Sequence, residues 1–162
     1  MAHEYRATIA WDRDGAAFTD GKYTRAHRWI FDGGLEVPAS SAPSSVPLPY
    51  SREDAVDPEE ALCVSVSSCH MLFFLAFAAK RGFVVDSYRD EAVATMSRNE
   101  RAKLYVSAIT LNPQVVFSGD KQPDPAELAD LHHRSHAECY IANSILAEVT
   151  VAGLAQTQAE PA

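Results

Sequence analysis

Asp57-Pro58-Glu59-Glu60-Ala61-Leu62-Cys63-Val64-Ser65-Val66-Ser67-Ser68-Cys69-His70-Met71-Leu72-Phe73-Phe74-Leu75-Ala76-Phe77-Ala78-Ala79-Lys80 reads as one long helix. Asp57 can cap it, Pro58 suits the first helical position and Glu60 completes a capping box. Lys80 and Arg81 suit the last turn, and Gly82 can take the left-handed position that closes it. A helix of roughly 24 residues spans ~36 Å. A chain of this length has a radius of gyration of roughly 15 Å, so the helix crosses the whole fold. From Leu62 to Ala79 there is no permanently charged residue, enough in length for a membrane span. Ser65, Ser67, Ser68 and His70 crowd its first half and its neighbours are amphipathic, so the reading is a buried central helix, apolar on nearly all sides. One chain struggles to cover such a rod, and a second subunit is expected to help.

Upstream, Tyr5, Ala7, Ile9 and Trp11 alternate with polar or small residues, the mark of a half-buried strand. Asp14-Gly15 turns the chain, Ala16–Phe18 can begin a short second strand, and Lys22 to Phe31 alternates as a third. Residues 38–57, with Pro38, Pro43, Pro47 and Pro49 among serines, have no periodicity. They read as a functional linker or as disorder. Downstream, Asp86 to Met96 and Ala102 to Phe117 read as two strands, with Asn112-Pro113 marking a bulge or edge. Asp124-Pro125-Ala126-Glu127 repeats the capping-box pattern and opens a second helix, with Leu128, Leu131, Ser135 and Cys139 on one face. Ile145 to Val151 closes the chain as a last strand. The predicted fold class is α+β in the order β-β-β-α-β-β-α-β, a single domain over residues 1–153 with a frayed tail over 154–162.

The 162 residues carry 14 Lys+Arg against 22 Asp+Glu, a net charge of −8. That balance argues against a partner recognised through its phosphates, so nucleic acid is not expected. Apolar residues at 47% place the chain among ordinary globular proteins rather than disordered ones. Three cysteines, Cys63, Cys69 and Cys139, do not read as a secreted disulfide framework. Met1 to Trp11 lacks the apolar core of a signal peptide, and a cytoplasmic location is expected. Singly, each cysteine reads as a small buried hydrophobe.

Taken with their settings, the cysteines point further. Asp57-Pro58-Glu59-Glu60 followed by Ser68-Cys69-His70-Met71 on a long apolar helix, then His136-Ala137-Glu138-Cys139 before a last strand, resembles the OsmC/Ohr family of thiol peroxidases. The likeness runs from Tyr5 to about Val151. It implies an OsmC-like fold, an antiparallel sheet with a long buried central helix in an intertwined homodimer. It further implies a hydroperoxide reductase with Cys69 as the peroxidatic thiol, Cys139 as the resolving thiol and Glu59 holding an arginine that faces the thiolate. Arg25 is the first choice for that arginine, followed by Arg28, Arg52 and Arg13. The partners implied are a small-molecule hydroperoxide and an external dithiol, with no cofactor, no metal and no membrane.

Physical chemistry agrees with a cation at such a site. Only a thiolate attacks a peroxide, and mid-helix apolar surroundings hold a thiol protonated unless a cation is near. Glu59 and Cys69 lie ten residues apart on one helix, ~15 Å along its axis. Two antiparallel copies would bring Glu59 of one towards Cys69 of the other, so a site shared across the dimer is expected. Where better-known members carry proline after the second cysteine, this chain has Tyr140-Ile141. His70 can tune the neighbouring thiol or satisfy a buried polar contact, and Cys63 reads as core. The competing readings are a metal site on His132, His136 and Cys139, which share a helical face, and a non-catalytic ligand-binding protein on the same fold.

Overall fold

The computed structural model describes residues 3–154. Their contacts group them into two units, the first closing at Ala61 and the second opening at Leu62.

The first unit is built on an antiparallel sheet of β1 (Ala7–Ala10), β2 (His27–Phe31) and β3 (Glu36–Ala39), in that order. Ile9 faces Trp29, and Trp29 faces Val37. The strand expected over Lys22–Phe31 keeps only its last five residues, and Ala16–Phe18 is not a strand. Side-chain packing replaces the ladder there: Phe18 stacks on Tyr23 at 4.7 Å, and Trp11 sets its edge against Tyr23 at 5.5 Å. The third strand comes instead from Glu36–Ala39, running into the segment read as linker. Pro38 lacks an amide hydrogen, but its carbonyl accepts from Val56, while Ser40 donates to Val56. The rest of 38–57 is an ordered loop, tied by Arg25 N–H to Tyr50 O (2.8 Å) and Arg52 N–H to Ser40 Oγ (3.0 Å). Hydrogen bonds satisfied within the loop replace the periodicity the sequence lacks.

α1 (Pro58–Lys80) has the expected capping box: Glu60 N–H donates to Asp57 Oδ1 at 2.8 Å, and Asp57 N–H to Glu60 Oε2 at 3.3 Å. It ends as predicted, with Gly82 at φ +79° and Phe83 N–H bonded back to Ala78 O. Only the stripe Val66, His70, Phe74 and Ala78 is buried. Val64 and Leu72, on the far side, are 65% and 61% exposed. The strands and second helix of unit two cover one face of α1 only, as expected of a rod that one chain struggles to cover.

The two strands expected after α1 each break in two. They become β4 (Val84–Asp90) and β5 (Val93–Arg98), then β6 (Leu104–Leu111) and β7 (Pro113–Ser118). β4 pairs with β7, and β5 with β6. Asp90 holds the break, accepting Ser67 Oγ–H at 2.5 Å and Asn112 N–H at 2.6 Å. α2 (Pro125–Glu138) carries the predicted capping box between Asp124 and Glu127. After a 3₁₀ turn at Ala142–Ser144, β8 (Glu148–Val151) pairs with β6 in parallel, so the sheets are not all antiparallel. The α2 crossover returns the chain in the original direction, which makes that pairing parallel. The α+β class holds, with two α-helices and eight strands in three sheets among the described residues. Of the tail expected to fray, only Leu154 lies among the described residues.

Among its described residues unit two has two apolar clusters, both reaching α1. Val66 packs with Ile109, Leu111 and Ala147, while Phe74 and Ala78 pack with Phe83 and Leu131. Between them along α1 lies His70, 1% exposed, whose Nε2 is 3.0 Å from Nδ1 of His132 on α2. Burial is the main force pushing both imidazoles down, His70 to about 3 and His132 to about 4. Both are therefore neutral at physiological pH.

Phe74→Ala is expected to cost about 3–5 kcal/mol, seen as a lower urea midpoint at unchanged slope. Acid should act through the histidines. Their folded pKa values lie below the ~6.5 of the unfolded chain, so the unfolded state binds more protons below that pH. The stability they contribute is present above pH 6.5 and is lost as pH falls towards 4, at on the order of 1–2 kcal/mol per pH unit. Urea unfolding between pH 7 and 4.5 should show this slope, and His70→Leu/His132→Leu should flatten it.

Candidate thiol site

The long apolar run places Cys69 in the middle of α1, half-buried. The end of α2 places Cys139 at its C-cap, where the backbone turns extended (φ −65°, ψ 110°) and the residue is fully buried. Cys139 faces Cys69 there, and neither thiol is in a disulfide. Ala142 N–H also donates to Cys139 Sγ at 3.3 Å. Burial first, and then the contact with Cys69, pushes the Cys139 thiol up to about 11. Cys139 is thus protonated and faces the more accessible Cys69. Beside them, the Phe73 ring meets Tyr140 edge-on at 5.2 Å.

Cys63 does not join the pair. It packs against the Val66–Ile109–Leu111 cluster as expected, and burial and Asp90 push its thiol up. His70 makes a buried polar contact, but its partner His132, 62 residues away, carries no sequence signal. The metal alternative does not assemble. His132 turns its Nδ1 to His70, Cys139 faces Cys69 and Ala142, and among the described residues no three His, Cys, Asp or Glu side chains converge. His136 is pulled down by burial and by His133.

In the first unit Arg25 and Glu59 do not pair. Arg25 Nη1 donates to Gly21 O at 2.8 Å and Tyr23 O at 2.5 Å, and its guanidinium lies 3.8 Å above the Tyr23 ring. It lines an open cavity of about 410 Å³ with Ile9, Trp11, Phe18 and Pro58. Glu59 is half-buried, and its carboxylate makes no hydrogen bond or ion pair among the described residues. Of the other candidates, Arg28 is bound to Glu36 at 3.0 Å and Arg52 to Asp54 at 2.6 Å. Arg13 borders a broad groove together with those two.

The chain is similar to an OsmC-like protein of unknown function from Vibrio cholerae, with 48% identity over 93% of this chain and 98% of that one, at a TM-score of 0.91. An organic hydroperoxide resistance protein from Elizabethkingia anophelis, solved with thiocyanate bound, superposes at a TM-score of 0.67 with 16% identity, over 93% of this chain and 96% of that one. The organic hydroperoxide resistance protein OhrB of Bacillus subtilis gives 0.63 with 14% identity, over 92% and 96%. At those two identities the likeness is one of fold. No curated protein matches the chain. The family profile described as OsmC-like protein matches residues 51–152, from the loop before α1 through the last strand, and the chain belongs to this OsmC-like family.

Proposed function

We propose that the protein is a thiol-dependent hydroperoxide reductase. The observation that carries this reading is the pairing of half-buried Cys69 with fully buried Cys139. Names of fold neighbours, organic hydroperoxide resistance proteins, agree with it. The Cys69 thiolate attacks the nearer oxygen of the hydroperoxide, the O–O bond breaks, and the alkoxide leaves and takes up a proton as alcohol. Cys69 is then a sulfenic acid. Cys139 displaces its hydroxyl as water, forming the disulfide, and an external dithiol reduces the pair again.

Glu59 and Arg25 complete the site from a second copy in this proposal. Among the described residues the Glu59 carboxylate has no partner, and it sits ~15 Å along the helix axis from Cys69. The exposed stripe of Val64, Ser68, Leu72 and Ala76 on α1 supplies an apolar face for a homodimer. A cluster of this kind is a partner surface more often than an idle one. The arginine turns its guanidinium from the Gly21 and Tyr23 carbonyls to the carboxylate when the partner arrives.

Wild type should consume organic hydroperoxide with dithiothreitol, and Cys69→Ser should not. Equal rates for the two would sink the enzyme reading. Cys139→Ser should react once and accumulate sulfenic acid without an internal disulfide. Sedimentation should show a dimer that Leu72→Glu weakens. Glu59→Gln should slow turnover about 10- to 100-fold. Mixed dimers of Glu59→Gln with Cys69→Ser should regain activity, because one site then holds an intact Cys69 and an intact Glu59.

A further inference from the structure

α1 meets α2 along two neighbouring ridges. His70 and Phe74, one turn apart, hold the His132 imidazole. The His70 ring lies edge to edge with it, nearly coplanar (12°) with centroids 5.3 Å apart and joined by the 3.0 Å Nε2–Nδ1 contact, and the Phe74 ring lies 4.5 Å away. Cys69 and Phe73, the adjacent pair, meet Cys139 and Tyr140. His132 precedes Cys139 by seven residues, two turns, so the anchor and the thiol leave α2 on one face. A slip of one residue along α2 would turn that face by about 100° and carry Cys139 away from Cys69. Apolar packing tolerates small slides and rotations; a buried hydrogen bond between ring nitrogens does not, because an unpaired partner has no water to turn to.

The proton in the contact can be placed. Both rings are neutral, so one nitrogen of the two carries the hydrogen. Among the described residues His70 Nδ1 is buried with no hydrogen-bond partner. Were His132 the donor, His70 would carry its proton on Nδ1, leaving a buried N–H with no acceptor. With His70 Nε2–H donating, Nδ1 is a bare acceptor, the less costly group to leave unpaired. His132 Nδ1 is therefore the acceptor.

We infer that the His70–His132 hydrogen bond is a positioning contact that holds Cys139 in register with Cys69 and so sets how readily the disulfide closes. Its place in catalysis rests on the peroxidase reading. The register itself does not, since any two-electron oxidant can close the pair. Diamide does so by taking two electrons and two protons from the thiols, becoming the hydrazine as the S–S bond forms.

Closure of the Cys69–Cys139 disulfide by diamide, and its equilibrium in glutathione redox buffers, would be followed by peptide mass mapping in folded protein. His132→Leu should lower the closure rate and equilibrium constant about tenfold, the worth of one ordinary hydrogen bond. His132→Asn, which returns an acceptor near the Nδ1 position, should recover to within about threefold of wild type. If His132→Leu fails to fold, His70→Gln against His70→Leu puts the same question from the donor side, with Gln expected to close normally. Wild-type closure in the leucine variants, or no rescue by Asn and Gln, overturns the inference. Iodoacetamide alkylation of Cys69 in a Cys139→Ser background should be unaffected by His132→Leu, which a general loosening of α1 would change. A wild type inert to hydroperoxide would end the peroxidase reading while leaving the diamide series to decide the register.

Discussion

The structure of the second unit depends on how α1 buries its one covered stripe. Val66, His70, Phe74 and Ala78 recur every four residues, and three of the four are apolar. The fourth, His70, falls where the two apolar clusters of the unit meet along the helix. A polar group at that depth needs a partner, because burial without one costs more than most hydrogen bonds contribute. α2 supplies it in His132, and the helix that supplies His132 also ends in Cys139. The meeting of the thiols is thus coupled to the satisfaction of a core histidine.

Asp90 is the second polar node, and it acts on the strands as the histidines act on the helices. Its carboxylate takes Ser67 of α1 and the amide of Asn112, at the point where β4 gives way to β5 and β6 to β7. The same charge opposes the downward push of burial on His132 and adds to the upward push on Cys63. Positions 67 and 70 are neighbours on one helix, so α1 is anchored to the sheets and to α2 through adjacent side chains. Cys69 falls between the two anchors in sequence.

The site's electrostatics follow from unequal burial. Cys139 is sealed from solvent and stays a thiol, while Cys69 keeps a path outward. Among the described residues of the first unit, the Glu59 carboxylate has no partner and Arg25 is held by backbone carbonyls. The exposed side of α1, with Val64 and Leu72, completes a chain whose apolar surface is incompletely covered by its own residues.

Local chemistry, which needs only neighbours in sequence, was readable from the residues. Both capping boxes, the Gly82 stop, the length of α1 and the two helices that carry Cys69 and Cys139 follow from contacts no more than a few positions apart. The spacing of motifs also sufficed for the family, since Asp57 to Met71 and His136 to Cys139 are continuous strings. Tertiary structure decided what depends on distant partners. Asn112-Pro113 marks an irregularity within Ala102–Phe117, but only the Asp90 contacts reveal that this strand and the one read over Asp86–Met96 each change sheets. Pro38 looked like a linker residue until Val56 returned to bond its carbonyl. His132 and His136 stood on one face as a possible metal set, but the fold turned His132 to His70, because a buried ring nitrogen must find its partner wherever the chain brings one.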